Sequence, residues 1–343
     1  MGNSVEEAVK LAQKCIEKVP VIVLGSGASR PFGISGMPEL QAHLMKQVNP
    51  AAAGDAQLWA EFTAELARCS DLELTLHNVR LSPSLEAEVV NQTRRLVLGD
   101  DLRAFEDLLA GQAEFPVSTL LRHLFRSTHS SVTVVTTNYD RLAEYAADVE
   151  GLENTTGFTH GYFRSCGTLT APNQPSRGSR VVEILKVHGS VDWFQDAHGT
   201  ALCLPDSAHI PPSFVPLMVT PGTGKYLATH EEPFRTIITR SDAAFANARA
   251  VLTVGYGFND RHIQPKLTNR VLRQQVPLLV LARTLTRSAR SFLAQCKHSS
   301  FLALEADGAN TRAHCLAHPN GLDLPGTNLW EFGKLLADTI GKP

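Results

Sequence analysis

Short apolar segments recur along the whole chain, and most of them are followed by a segment with the spacing of an amphipathic helix. The apolar segments span 19–27, 131–140, 181–190, 248–258, 276–282 and 301–306. Continuous apolar runs of this length are typical of strands that are buried on both faces of a parallel sheet. Because strands and helices alternate, the sequence predicts an α/β fold with a doubly wound, mostly parallel sheet.

One long segment interrupts this alternation. From 39 to 131 the pattern is helical and polar, and it is broken at Ser82-Pro83 and at Gly99. A stretch of roughly ninety residues is long for a crossover in an α/β domain. We therefore interpret 1–343 as a single Rossmann-like domain, with a helical insertion over 39–131 and a C-terminal helix within 326–343.

The composition excludes several classes of protein. Hydrophobic residues make up 43% and charged residues 19% of the 343 residues, which fits an ordered globular protein. The formal net charge is −2, so no overall basic field attracts nucleic acid, and we expect no direct nucleic-acid binding. No apolar run approaches the roughly 18 residues of a membrane helix, and the N-terminal sequence lacks a secretory pattern. These features predict a cytoplasmic protein.

The cysteines are widely spaced. No two of the six lie within four residues of each other. This spacing fits neither a zinc knuckle, which pairs cysteines as CxxC, nor a compact disulfide framework. We expect free thiols in a reducing compartment and no metal site.

Four polar or glycine-rich segments each follow a predicted strand. In open parallel sheets, ligands bind outside the carboxyl ends of the strands, so these segments are expected to converge on one crevice. The first segment, GSGASR at 25–30, has glycines and consecutive N–H groups that suit a pyrophosphate, but it also fits a plain tight turn. The fourth, GYGFND at 255–260, suits close contact with a nucleotide, while Asp260 fits a helix cap equally well.

The second and third segments carry the residues best suited to catalysis. In TTNYD at 136–140, the Asn138 amide can hold a water or a ribose hydroxyl, although asparagine is also an ordinary turn residue. In HGS at 188–190, His188 fits either a general base or a structural histidine. The GTGK segment at 222–225 lacks the glycine and the Ser/Thr of a phosphate-binding loop of ATPases.

Taken in this order, GSGAS, TTNYD, HGS and GYGFND resemble the motifs of the sirtuin superfamily. The similarity is greater to bacterial sirtuin-like domains of antiphage defence systems. These favour a TTNYD-like strand end, HGSxDW, a segment like Pro221–Lys225, and a GYxFxD loop followed by His-Ile. The resemblance covers roughly 20–40 and 130–310, and it implies an NAD⁺-binding enzyme that cleaves the nicotinamide–ribose bond.

The resemblance implies a role for each matching residue. Asn138 would position water or the ribose, His188 would remove a proton from a hydroxyl or water, and Asp140 would support the polar network around the sugar. The pyrophosphate and the adenosine side would be contacted by Gly25, Ser26, Gly27, Ala28, Ser29, Arg30, Thr137, Gly255, Gly257 and Asn259. With water as the nucleophile, NAD⁺ is a substrate, and the products would be nicotinamide and ADP-ribose.

Two departures from the family pattern bear on the activity. Protein-deacylating sirtuins carry a zinc module with paired CxxC cysteines, which this sequence lacks, so no zinc is expected and peptide deacylation is disfavoured. The GIPxFR element reads GISGMPEL at 33–40, without the matching Phe and Arg. The alternatives left open are a protein deacylase or ADP-ribosyltransferase, and a non-catalytic nucleotide-binding subunit of a defence complex.

The resemblance also implies a biological setting. An NAD⁺ hydrolase of this kind would deplete the cofactor upon infection as an abortive-infection effector, and such an activity requires restraint. The sirtuin-like region occupies most of the 343 residues and leaves no sensor domain. We therefore expect control by homo-oligomerisation or by a separately encoded HerA-type ATPase, a DNA translocase.

Overall fold

The structure is a computed structural model that describes residues 2–159, 162–166, 179–205, 210–220, 231–260, 262–297 and 300–341. The Pro221–Lys225 segment of the resemblance lies outside these residues. The strands are β1 Val21–Leu24, β2 Ser131–Thr136, β3 Glu153–Thr155, β4 Arg164–Ser165, β5 Val181–Lys186, β6 Gly189–Gln195, β7 Ala201–Cys203, β8 Val215–Met218, β9 Val251–Val254, β10 Leu278–Ala282, β11 Phe301–Asp307, β12 Asn310–Cys315 and β13 Leu322–Leu324. The helices are α1 Gly2–Ile16, α2 Ser26–Ser29, α3 Met37–Gln47, α4 Ala53–Cys69, α5 Leu72–Asn78, α6 Pro83–Leu109, α7 Pro116–Leu124, α8 Leu142–Val149, α9 Phe234–Asn247, α10 Gln264–Gln274, α11 Arg287–Leu293 and α12 Phe332–Ile340, with a 3-10 turn at Arg30–Phe32.

Nine strands form the central sheet, in the order β13-β12-β11-β10-β9-β1-β2-β5-β3. Neighbours from β11 to β3 run parallel, whereas β12 and β13 extend the β11 edge in the antiparallel sense. Strands β5-β2-β1-β9-β10-β11 have the 3-2-1-4-5-6 order of the Rossmann fold, in which the winding reverses between the first and fourth strands. The predicted Rossmann-like α/β fold is confirmed.

Helices cover both faces of this sheet. In β1, Val21 and Val23 pack on one face, and Ile22 and Leu24 pack on the other. Helices α9, α10 and α11 cover the first face, while α1, α7, α8 and α12 cover the second. Burial on both faces explains why the strand sequence VIVL shows no alternation of apolar and polar residues. No helix among the described residues has the length and apolar character needed to span a membrane.

The helices that follow the first strand form a separate layer. Helices α3, α4, α5 and the first half of α6 pack around an apolar cluster that includes Leu44, Phe62 and Leu76. The second half of α6 packs through Val97 in another apolar cluster, which includes Ile34. Helix α7 also falls within the predicted insertion, but its apolar side chains pack on the sheet. The division of the chain into domains stays a prediction.

A second, antiparallel sheet has the order β4-β7-β6-β8. The prediction of one strand over 181–190 was wrong at its end, because β5 ends at Lys186 and β6 begins in this other sheet. Gly189 permits the change of direction: its φ is +84°, and a Cβ there would lie 2.1 Å from the carbonyl oxygen of Leu217. His188 therefore lies in the connection between two sheets.

The chain segments after β1 and β9 touch each other. The Gly27 N–H donates to the Gly255 carbonyl over 3.1 Å, and a Cβ on Gly25 would lie 2.5 Å from that same oxygen. A Cβ on Gly255 would lie 2.3 Å from backbone atoms of Gly27 and Ala28, and Gly255 has a φ of +60°. The resemblance implied pyrophosphate contact for Gly25 and Gly27 and adenosine contact for Gly255, and the packing of the two loops by itself already requires all three glycines.

We expect Gly255→Ala to lower the free energy of unfolding by about 2–4 kcal/mol, because left-handed backbone strain and backbone overlap add together. Gly99→Ala is the matched control, since Gly99 lies inside α6 with open space where a Cβ would be placed. It should raise the free energy of unfolding by about 0.5–1 kcal/mol through helix propensity. Urea unfolding measures both variants, and a Gly255→Ala protein as stable as the wild type would contradict this account.

Candidate functional site

A cavity of about 430 Å³ opens at the carboxyl ends of β1, β2, β9 and β10. Residues from all four predicted segments border it. They are Gly25, Ser26, Gly27, Ser29, Thr137, Asn138, Tyr139, Asp140, His188, Gly255, Tyr256, Gly257, Asn259 and Asp260. The topology thus brings together the side chains that the sequence could only place at separate strand ends.

Asn138 is fixed by the loop that follows β1. Its side-chain Nδ2 donates to the Gly25 carbonyl and to Ser29 Oγ, both over 2.9 Å. The residue is 8% exposed. Because both amide hydrogens are used in this way, the amide oxygen is the polar atom of Asn138 that remains for a bound molecule.

Asp140 continues the same hydrogen-bond chain. The Ser29 hydroxyl interacts with its carboxylate, and the Leu142 N–H donates to Oδ1 over 3.2 Å. Burial raises the pKa of Asp140, although the charge of Lys186 and the Ser29 hydroxyl act in the opposite direction. Gly25, Asn138, Ser29 and Asp140 therefore form one continuous polar unit across β1 and β2.

His188 faces an aspartate from the fourth segment. Its Nε2 lies 2.7 Å from Asp260 Oδ2, and its Nδ1 lies 3.3 Å from the Thr137 carbonyl oxygen. The carboxylate is at ion-pair distance but off the line of the ring N–H, so this contact lacks hydrogen-bond geometry. The sequence analysis left Asp260 open between a ligand contact and a helix cap, and it did not pair this residue with His188. The position of Asp260 after a glycine-bearing strand end was the available signal.

Strained backbone presents Asp260 to the cavity. Phe258 has a φ of +56°, a conformation that bulky side chains rarely adopt. Its ring is 1% exposed and lies against Phe292, with centroids 4.9 Å apart. Such strain persists only where the surroundings over-determine the conformation. The buried ring thus acts as an anchor that fixes Asn259 and Asp260 beside His188.

A buried lysine joins the second and third segments. Lys186 is fully buried on β5, and its ammonium group donates to the Asp140 carbonyl oxygen and to Glu144 Oε1, the latter over 2.9 Å. Burial lowers the pKa of Lys186, but the carboxylates of Glu144, Asp192 and Asp140 outweigh this effect and the net pKa is raised. The strand that precedes His188 thereby holds the backbone that follows Asn138.

The helical layer is tied to the cavity by the acidic pair in α6. Asp101 accepts from the backbone N–H of Arg141 over 2.6 Å and from its guanidinium over 2.6 and 3.0 Å. Asp100 accepts from the Ser35 N–H over 2.8 Å. Both partners lie in segments that reach the cavity, and α6 itself borders it through Thr93. The insertion forms part of the site.

Two of the predicted cofactor-binding residues do not border the cavity. Arg30 makes a two-point contact with Glu39, over 2.7 and 2.8 Å, and both side chains are substantially exposed. The phosphate contact expected for Arg30 stays a prediction, and in this structure the guanidinium is in an ion pair with Glu39. Ala28 is engaged in the packing of the two glycine loops. Instead, the GISGMPEL segment borders the cavity through Ile34, Gly36 and other residues.

The cysteines take no part in this site. None of the six cysteines, all of which the structure describes, forms a disulfide bond. Among the residues that the structure describes, no group of three His, Cys, Asp or Glu side chains is placed to hold a metal ion.

We expect Lys186→Met to lower the free energy of unfolding by about 3–5 kcal/mol, because Glu144 and Asp192 lose the cation that compensates them. Adding Glu144→Gln should recover part of this loss, since it removes one of the uncompensated carboxylates. Lys10→Met, on the exposed face of α1, is the control and should not change stability measurably. Chemical unfolding of the four proteins measures this, and a wild-type value for Lys186→Met would contradict the positioning role.

One family of known proteins is similar to part of the chain. The family model of the SIR2-like domain matches residues 132–298. No curated protein matches the chain. Similar solved structures include a Sir2 homologue in complex with NAD, at 13% identity and a TM-score of 0.42, covering 81% of this chain and 84% of that one.

Two further structures are similar to a comparable extent. Sir2Tm bound to a propionylated peptide has 13% identity and a TM-score of 0.40, covering 78% of this chain and 82% of that one. A structure concerned with the mechanism and regulation of Sir2 enzymes has 14% identity and a TM-score of 0.40, covering 82% and 89%. Asn138, Asp140, His188 and Asp260 all lie within 132–298, the part of the chain that matches the SIR2-like domain.

Proposed function

We propose that the cavity binds NAD⁺ and hydrolyses its nicotinamide–ribose bond, giving nicotinamide and ADP-ribose. The observation that carries this proposal is the position of Asn138 and His188, which border one cavity together with the glycine loops of β1 and β9. The match of 132–298 to the SIR2-like domain supports it. The volume of about 430 Å³ falls in the range of small-molecule sites.

The sheet topology supports one direction for the dinucleotide in this proposal. The pyrophosphate crosses the switch point between β1 and β9, where Gly25 and Gly27 leave no side chain in the way. The ribose that carries nicotinamide then lies towards β2 and β5, beside Asn138 and His188. The other ribose lies towards β9 and β10.

The chemistry follows from this arrangement. When the bond between C1′ and the pyridinium nitrogen breaks, nicotinamide leaves as a neutral molecule and positive charge develops on the ribose. The Asn138 amide oxygen and the buried Asp140 unit stabilise that charge, because fixed dipoles act strongly where water is excluded. His188 removes a proton from the water that adds to C1′. One water is consumed and one proton is released.

The biological setting is a further part of this proposal. On the sequence resemblance, we propose that the enzyme is a cytoplasmic abortive-infection effector that depletes NAD⁺. Its restraint would come from a homo-oligomer or from a HerA-type ATPase partner. Size-exclusion chromatography of the chain alone and after co-expression with such a partner tests this part separately from the chemistry.

We expect Asn138→Ala and His188→Ala each to lower the rate of nicotinamide release from NAD⁺ by about two or more orders of magnitude. Asn154→Ala and His198→Ala are matched controls outside the cavity and should behave like the wild type. Product chromatography with purified protein measures the rates, and cellular NAD⁺ levels on expression provide a second readout. Undiminished release by both cavity variants would remove the proposed active site.

We expect Asp260→Asn to lower kcat by about tenfold to a hundredfold and to change KM less, because the carboxylate acts through His188. In a His188→Ala background the same substitution should have little further effect, since the residue it positions is gone. Asp242→Asn, on α9 and away from the cavity, is the control. Additive losses in the double variant would show that Asp260 acts independently of His188.

A further inference from the structure

We propose that the β10 end of the cavity binds a phosphate on the 2′-hydroxyl of the adenosine ribose, so that NADP⁺ is a substrate of this site. The inference rests on the proposed function, and it adds the substrate class. It is carried by the charges at the two ends of the cavity.

In the proposed binding mode, the adenosine half of the dinucleotide extends away from Asn138 and His188. Asn138 and His188 occupy the β2 and β5 side of the switch point, so the second ribose extends over the ends of β9 and β10. The residues bordering the cavity at the end of β10 are Ala282, Arg283, Thr284 and Thr286. Arg283 and Thr284 are both exposed.

Arg283 supplies a positive charge at the β10 end of the cavity. Among the described residues, no carboxylate is within ion-pair distance of its guanidinium, whereas two other arginines of the region are paired. Arg290 contacts both carboxylate oxygens of Glu305 at 2.8 Å, and Arg30 is bound to Glu39. The side chain of Arg283 is therefore available to an anion that enters the cavity.

The carboxylates of the cavity lie at the other end. Of the described residues that border it, the acidic ones are Glu73, Asp140 and Asp260. Asp260 faces His188, and Asp140 lies in the Ser29–Asn138 unit. Glu73 lies on α5, in the helical layer, and not in the segment that follows β10.

Glu305, an acidic residue on the neighbouring strand β11, does not border the cavity. Glu305 stands opposite Ala282 in the parallel register, but it is 4% exposed and does not border the cavity. Its carboxylate binds Arg290, His314 and the Leu285 N–H. This last contact, with the hydrogen bond from Ala306 N–H to the Arg283 carbonyl, holds the backbone on either side of Thr284.

This distribution of charge fits a phosphate better than a hydroxyl. Rossmann-type sites that select NAD place a carboxylate on the 2′-hydroxyl, and that carboxylate repels a phosphate. An arginine near the 2′-position instead accommodates the phosphate, and its guanidinium can bind two phosphate oxygens at once. The Thr284 hydroxyl beside it supplies a further donor.

The test compares nicotinamide release from NAD⁺ and from NADP⁺ by the full chain and by Arg283→Ala. We expect kcat/KM for NADP⁺ to be at least equal to that for NAD⁺ in the wild type. In Arg283→Ala, kcat/KM for NADP⁺ divided by kcat/KM for NAD⁺ should fall about tenfold or more, as expected for the loss of hydrogen bonds to a charged group. Arg287→Ala, an exposed arginine outside the cavity, is the matched control and should keep the wild-type ratio.

A binding measurement separates this inference from the proposed reaction. By calorimetry, adenosine 2′,5′-bisphosphate should bind the wild type about tenfold or more tightly than AMP, and Arg283→Ala should lose this preference. If the wild type prefers the bisphosphate but releases nicotinamide from neither dinucleotide, the 2′-phosphate site stands and the proposed hydrolase activity is overturned. Release from NAD⁺ alone, equal binding of the two nucleotides, or binding of neither would overturn the 2′-phosphate site.

Discussion

The contact between the chain segments that follow β1 and β9 is the constraint on which the site depends. Gly27 and Gly255 are hydrogen-bonded through their backbones at the switch point, with no room for side chains between them. Because the β1 loop is fixed in this way, the Gly25 carbonyl and Ser29 hydroxyl can hold Asn138. The same contact fixes the start of the β9 loop, which carries Asp260 to His188. One backbone junction thus positions groups from four segments.

Buried charged groups hold the neighbouring segment that follows β2. Lys186 and its carboxylate partners, together with the Asp101–Arg141 pair, lie in the protein interior, where charges are costly unless they are compensated. Both groups bond to backbone next to Asp140. The desolvation cost of these buried charges is therefore offset in bonds that fix the loop after β2. This is the pattern expected where residues outside a site hold the residues that line it. Asp101 lies on α6 and Lys186 lies on β5, so a helix and the central sheet both hold the segment that follows β2.

Much of the fold was predictable because its signals are local. Uninterrupted apolar strands such as VIVL indicated a parallel sheet, and the alternation with helices indicated its winding. The antiparallel sheet that contains β6 and the β12–β13 edge were not predicted. Their strands are short or follow directly from another strand, as β6 follows β5 after two residues, and no period in the sequence marks where the chain changes sheets.

The sequence by itself placed Asn138, Asp140, His188 and the two glycine loops near the carboxyl ends of parallel strands, and so it marked them as candidate site residues. Tertiary structure alone decided how they are used. It paired His188 with Asp260, turned Arg30 to Glu39, and required the glycines for loop packing. It also left Arg283 beside the cavity while Glu305 was withdrawn. These outcomes depend on distances between segments far apart in the chain, which residue spacing does not encode.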